Sequence, residues 1–339
     1  MTLEVAIAGI LIISLTFYVL MGGADYGAGV WDMLCFGERA QKQRALIAEV
    51  VGPIWEANHV WLILVIVILF TAWPRAFALV TTDLHIPLVI MLAGIVLRGS
   101  AFTFRTYDTK DDSVQRRWSL VFEIASLVTP IMLGITVGSI SAGRMHPMAR
   151  PDFINSWEHP FAFANGVFAL CVFAFLAATY LTNETSDAQL QNDFRVRALA
   201  AQGGVAVMAL TVFLLSQHGA PQLYNDLVKA PWTIALHAVT AVVSTGAIVS
   251  LVYRRYLIAR LCAAGQATLI LWGWALSQFP YLVRPELTIF NCAAPKATLE
   301  LLLWALLAGA VLLFPSFYLL LKVFSQATTE GESPAESAH

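Results

Sequence analysis

Long apolar runs alternate with short polar connections along the whole chain. A helix that crosses about 30 Å of hydrocarbon needs roughly 20 mainly apolar residues. Nine stretches meet that requirement, at 3–21, 50–73, 76–98, 119–141, 161–181, 198–215, 232–252, 259–281 and 299–321. The second and third are joined by a tight turn at Trp73-Pro74-Arg75, and the chain turns polar after Lys322. The pattern predicts an all-α membrane protein with nine transmembrane helices. Two four-helix bundles plus one peripheral helix would accommodate that number. Residues 1–322 would form one transmembrane domain, and 323–339 a disordered polar tail. No internal repeat is visible.

Composition agrees with this reading. Of 339 residues, 58% are hydrophobic and only 12% charged, about half the charged share of a soluble domain; mean hydropathy is +0.71. No basic surplus points to nucleic acid, and no phosphate-binding loop is present. Gly27-Ala28-Gly29 lacks the third glycine and the preceding strand of a dinucleotide site. The N-terminus has no positive leader region and no small-residue cleavage site, so the first apolar run is expected to be a retained span. Cys35, Cys171, Cys262 and Cys292 are scattered without a C-x-x-C pair, which predicts neither a disulfide framework nor a cysteine metal site.

Charge sets the orientation. Of the 20 lysines and arginines, 14 fall on the connections after spans 1, 3, 5 and 7 and on the C-terminal tail. By the positive-inside rule these connections are cytoplasmic, giving N-terminus out and C-terminus in. The densest basic loop holds Arg105, Lys110, Arg116 and Arg117, with Arg98 at its edge.

Against this background Trp55-Glu56-Ala57-Asn58-His59-Val60-Trp61 stands out. It places a carboxylate, an amide and an imidazole inside a span, where polar groups are costly and mark a task. At 1.5 Å per residue, Glu56 lies roughly 9 Å in from the cytoplasmic side. Asp25 is expected just beyond the cytoplasmic end of span 1, and Glu123 shallow in span 4. Glu56 and His59 share a helix face, and imidazole can pass protons on near neutral pH. Arg98, at the end of span 3, lies at a depth that would let it pair with Glu56. The cluster reads as a proton path through Asp25, Glu56, His59 and Glu123. The alternative is a satisfied polar network of Glu56, Asn58 and Arg98 that only fixes helix packing. The glycines around Asp25 either let helices approach closely or loosen the helix for water. Trp55 and Trp61 read as packing groups; Trp31, Trp73, Trp157 and Trp232 fit an interfacial aromatic belt. His59, His85 and His237 are each open to axial haem ligation, although an intramembrane histidine more often bonds to a neighbouring helix. Asp83, His85 and Glu300 fall toward the outer side.

These residues resemble a family, subunit II of the cytochrome bd-type quinol oxidases. The resemblance runs from Gly23-Ala24-Asp25-Tyr26-Gly27-Ala28-Gly29-Val30-Trp31-Asp32 through Gly52-Pro53-Ile54-Trp55-Glu56-Ala57-Asn58-His59-Val60-Trp61-Leu62 and Thr71-Ala72-Trp73-Pro74. It continues in Leu97-Arg98-Gly99-Ser100-Ala101-Phe102-Thr103-Phe104-Arg105 and in the last external loop at Pro280-Tyr281, Leu287-Thr288-Ile289 and Ala293-Ala294-Pro295. The run Leu84-His85-Ile86-Pro87-Leu88 is most similar to the cyanide-insensitive branch. The resemblance implies nine helices paired with a haem-bearing subunit I. That subunit carries two b-type haems, a d-type or third b-type haem, and the quinol oxidation site. This chain itself would bind no haem or metal. It would support assembly and line a cytoplasmic proton path through Asp25 and Glu56. A bound quinone and a small single-helix accessory subunit are compatible with the family. Some members carry an acid where this chain has Gly22, and many carry one at Thr103. A purely structural partner subunit is the competing function, and an independent secondary transporter, which would show inverted repeats, a third.

Overall fold

A computed structural model describes the backbone of residues 2–107, 112–146 and 153–330; the side chains at 53, 54, 56, 105–107, 112, 113, 314, 317, 318 and 320–330 lie outside the described set. Eleven helices and one two-stranded hairpin are described. They are α1 (Leu3–Met33), α2 (Ala40–Ala72), α3 (Pro74–Asp83), α4 (His85–Tyr107), α5 (Asp112–Ala142), α6 (Pro160–Leu181) and α7 (Ala188–Gly219). α8 (Pro221–Lys229), α9 (Thr233–Val252), α10 (Tyr256–Gln278), β1 (Tyr281–Val283), β2 (Leu287–Thr288) and α11 (Lys296–Glu330) follow. Eight helices are each long and apolar enough to cross a membrane: α1, α4, α5, α6, α7, α9, α10 and α11. α2 is two pieces, Ala40–Gly52 and Ala57–Ala72, bent by 48°; counted as one span they make nine. The break lies between Gly52 and Ala57, a stretch whose sequence includes Pro53, and proline lacks the backbone donor that a helix ladder needs.

Three expectations are corrected. The third span does not run over 76–98. Residues 74–83 form the separate short helix α3, with Pro74 in its first turn, and the crossing helix starts at His85 and continues to Tyr107. Asp83 and His85 therefore sit at the α3–α4 junction rather than within a span. Second, α1 does not end before Asp25. It runs eight residues further, carrying Gly22–Gly29 in regular helix. The two early ends share a cause: hydropathy treats a charge as a membrane boundary, whereas Asp25 and Arg98 are buried inside; the misplaced start of span 3 comes from the apolar run of α3. Third, Trp31 and Trp73 do not belong to an aromatic belt. Trp31 is buried and donates to the Ala174 carbonyl at 2.7 Å. Trp73 is fully buried and donates to the Ile289 carbonyl at 2.9 Å. The hairpin is a small addition to the all-α expectation, with β1 and β2 antiparallel.

α6 is the centre of the assembly, packing against α1, α5, α7 and α10. Its span is 61% buried, against 17% for α9. Hydrocarbon offers no hydrophobic drive between helices, so close backbone approach has to supply the contact. The glycines of α1 provide it. A Cβ at Gly27 would collide with the Phe173 carbonyl of α6, one at Gly23 with Leu176, and one at Gly29 with Ser126 of α5. Of the two readings of these glycines, the geometry follows close packing.

The two ends of the bundle are tied by polar clasps. At the end near Met33, hereafter the basic face, Arg39 binds Asp193 through two 2.8 Å bonds and Gln43 adds a third at 2.7 Å. Arg197 donates to the Leu34 carbonyl and to Gln43, each at 2.8 Å, so α7 holds the α1–α2 connection. At the opposite face Arg284 is buried and reaches Asp226 at 2.6 Å, Gln278 at 3.2 Å and the Ser277 carbonyl. This arginine pins the hairpin to α8 and the end of α10. His159 caps α6 there, its Nδ1 accepting from the Ala162 amide at 3.2 Å.

Two predictions follow from these contacts. Gly27→Ala should destabilise the subunit by about 1–3 kcal/mol or more, because backbone rather than a flexible side chain blocks the new methyl. Gly9→Ala, with nothing within 4 Å, should be neutral or stabilising by up to about 1 kcal/mol; thermal unfolding of the purified complexes compares the two. Burial, aided by Arg144, lowers the His159 pKa from 6.5 to about 4. The folded state thus resists protonation, and the stability this cap gives is complete above about 6.5 and lost as pH falls toward about 4. Melting temperatures over that window should fall more steeply for the native protein than for His159→Asn, which keeps a capping acceptor but cannot titrate.

Candidate functional site

The polar centre is built around Arg98 in the middle of α4. Its Nη1 donates to Asp25 Oδ2 at 2.7 Å and its Nη2 to Asp25 Oδ1 at 2.6 Å. Nη2 also donates to the Asp25 carbonyl at 2.8 Å, and Nε to Ser126 Oγ at 2.9 Å. Ser126 passes its own proton to the Phe122 carbonyl at 2.7 Å. The guanidinium lies between the rings of Tyr26 and Phe122, 4.9 and 4.7 Å from their centroids. Neither charged side chain is more than 1% exposed. Asp25 is about 12 Å from the Met33 end of α1, at 1.5 Å per residue.

Among the described residues the carboxylate partner of Arg98 is Asp25; the expected pairing with Glu56 is not tested by these contacts. The side chain of Glu56 lies outside the described residues. Burying two charges costs several kcal/mol per ion, and only good geometry with further hydrogen bonds offsets it. The fork-on-carboxylate arrangement, the carbonyl contact and the serine contact supply these bonds.

From this pair a line of polar groups leads toward the basic face. Glu123, one turn before Ser126 on α5, is 9% exposed. Its Oε1 is 4.0 Å from Nη2 of Arg44, and Nε of Arg44 is 3.9 Å from Oδ1 of the buried Asp32. Arg44 is itself half-exposed. Asp32 and Arg44 were not picked out from the sequence as site residues. The signal available was the seven-residue spacing of Asp25 and Asp32, two turns on one face of α1.

On the other side of Asp25 stand groups with unmet hydrogen bonds. Asn58 is fully buried, and both atoms of its amide lack a partner among the described residues. It faces the bare backbone of Gly22, where an added Cβ would lie 3.1 Å from Asn58 Nδ2. The Tyr18 hydroxyl and the Trp55 indole N–H are likewise buried without a partner among the described residues. Trp55 packs over Gly99 of α4. With His59, Ser100 and Thr103 it lines an open cleft of about 410 Å³. His59 is half-buried, its Nδ1 2.8 Å from the Trp55 carbonyl. His85 and His237 likewise engage carbonyls close by in the chain, those of Thr82 and Thr233. Trp61 is buried and stacks on Phe17 at 4.4 Å. Glu300 is half-exposed beside Lys296.

The site therefore defines a many-helix membrane protein organised around a buried ion pair. The chain belongs to the family Cytochrome bd terminal oxidase subunit II, whose profile matches residues 3–324. It is a multi-pass protein of the bacterial inner membrane. It is similar to the putative cytochrome bd menaquinol oxidase subunit II of Bacillus subtilis, with 21% identity over 91% of each chain. It is also similar to the cytochrome bd-I ubiquinol oxidase subunit 2 of Escherichia coli K12, with 24% identity over 62% of this chain. That match spans about half, 54%, of the length of the E. coli relative. The fold matches a chain of the bd oxidase from Geobacillus thermodenitrificans with TM-score 0.79 and 23% identity, over 96% of this chain and 99% of that one.

Proposed function

We infer that this chain is the haem-free partner subunit of a bd-type quinol oxidase, and that it lines a proton-uptake path into the complex. The haem-bearing subunit I would oxidise quinol and reduce oxygen to water on two b-type haems and a d-type or third b-type haem. Oxygen reduction consumes protons, and a membrane-embedded site has to draw them through protein. Nine helices with N-terminus out and C-terminus in put the basic face in the cytoplasm. A bound quinone and a single-helix accessory subunit fit the same assembly.

The observation that carries the reading is that two ionisable groups, the exposed Arg44 with Asp32 and Glu123, and the buried Arg98 with Asp25, lie one turn of α5 apart, from Glu123 to the Ser126 that Arg98 binds. The first starts at the membrane surface and the second ends beside Asn58. Chains of carboxylates are the usual material of intramembrane proton relays. His59 and Glu56, both on α2, complete the proposed path, the Glu56 side chain lying outside the described residues. Gly22 stands where some relatives carry an acid, and it leaves Asn58 without a side-chain neighbour there; Thr103, bonded to the Gly99 carbonyl at 3.1 Å, stands where many carry another. In this chain the path then relies on the carboxylates of α1, α2 and α5.

The competing reading is a purely structural subunit. The observation favouring it is that both oxygens of Asp25 are taken by Arg98, which leaves that carboxylate little freedom to carry protons. Glu123→Gln separates the two, because it keeps the size of the side chain and one acceptor oxygen while removing the charge and the group that carries a proton. On the proton-path reading the purified complex keeps its full haem spectrum while oxygen consumption falls about tenfold, equal to a barrier about 1.4 kcal/mol higher. Unchanged oxygen consumption would leave the structural role alone standing.

A further inference from the structure

We propose that the turn joining α9 to α10 is a binding site for the headgroup of an anionic phospholipid. This site is separate from the buried ion pair and does not depend on the proton-path reading. The turn reads Tyr253-Arg254-Arg255-Tyr256 and emerges on the basic face. Both arginines are exposed. Among the described residues neither guanidinium has a carboxylate partner, whereas the nearby Arg260 is held by Glu184 at 2.7 Å and lies over Tyr180. Two like charges adjacent in the chain, with no carboxylate partner among the described residues, are complementary to an anion.

A shaped space lies beside them. A cleft of about 360 Å³ is lined by Val249, Ser250, Tyr253 and Arg255. Ser250 is 8% exposed, and among the described residues its hydroxyl makes no hydrogen bond. Ser126, Ser139 and Ser277, at comparable helical positions, return theirs to the carbonyl four residues back. The hydroxyl of this largely buried residue opens on the cleft, where it is a donor for a ligand oxygen. No side chain caps the start of α10, so its first amides add positive potential at the same point.

The surroundings select a lipid over a soluble ion. Val249, Val252, Leu257 and Leu261 are each about half or more exposed on the flanking helices, and would face acyl chains directly below the arginines. Tyr253, 75% exposed, has the amphipathic ring suited to the headgroup layer. A phosphate held by Arg254, Arg255 and Ser250, with its acyl chains along α9 and α10, uses every one of these features. Basic pockets between helices at a membrane face are suited to such headgroups.

The test uses the whole purified complex, with native mass spectrometry reading lipid retention from mixtures of phosphatidylglycerol and phosphatidylcholine. The native complex should retain phosphatidylglycerol preferentially. In the double variant Arg254→Gly/Arg255→Gln that preference should drop about tenfold, with an unchanged haem spectrum. Arg254 has a φ of 57°, a backbone region that glycine occupies freely, so the variant leaves the turn unstrained. Ser250→Ala, a smaller change, should lower the preference about threefold. Equal retention of the two lipids by the native complex, or an undiminished preference in the variants, would overturn the proposal. Displacement of phosphatidylglycerol by inorganic phosphate alone would show a free-anion site and overturn the lipid assignment.

Discussion

A carboxylate and a guanidinium that meet fully inside the hydrocarbon must be satisfied by each other and by the few polar groups beside them, because water is not there to do it. That constraint shapes the core of this subunit. Asp25 on α1 and Arg98 on α4 are 73 positions apart in the chain, so their pairing fixes two helices that hydropathy alone would let slide. Ser126 on α5 accepts from Nε of the same arginine, which makes a three-helix joint from one side chain. Removing either charge strands the other in a low-dielectric site, a loss of about 3–5 kcal/mol. The polar groups inside the membrane thus do in this protein what a hydrophobic core does in water: they specify which helices meet and in what register.

The small residues answer the same need in another way. Gly23, Gly27 and Gly29 bring α1 against α6 and α5 at backbone distance, and this close approach holds Asp25 opposite Arg98. The clasps at the two faces lock the arrangement in length. Arg39 and Arg197 bind α7 to the start of α2, and Arg284 and Trp73 hold the hairpin over the other end. With the ends fixed, the Arg44 group and the Asp25–Arg98 pair lie one turn of α5 apart, at Glu123 and Ser126. Structure and proposed proton route therefore share residues, and Asp25 belongs to both.

The spans were legible in the sequence because a stretch of apolar residues is the strongest signal a chain carries. Spans five and seven fall within a residue of the predicted limits. The third span was displaced because Arg98 looked like the end of a helix and the apolar run over 76–83 looked like its beginning; only the pairing with Asp25 explains why a charge stands mid-membrane. The same blindness ended span 1 too early. The residues at the centre were legible by type, since Asp25, Asn58, Arg98 and Glu123 are polar groups in apolar surroundings. Their partners were not, because a pairing across 73 residues leaves no periodic trace. Arg44 and Asp32 escaped notice because both lie near helix ends, where charges are ordinary. Trp31 and Trp73 sit where belt tryptophans sit in sequence, and what distinguishes them is a carbonyl on a distant segment.

The central claim is that the Asp25–Arg98 pair, and not either charge alone, holds the subunit together. Haem content per purified complex, measured from absorption spectra, tests it through Asp25→Asn, Arg98→Met and the two combined. Each single variant leaves one buried group unmatched, so haem content should fall sharply in both. The double variant removes both charges and should recover a substantial part of it, since paired replacement of buried ions is tolerated where single removal is not. Full haem content in the single variants, or a double variant no better than the singles combined, would contradict the account.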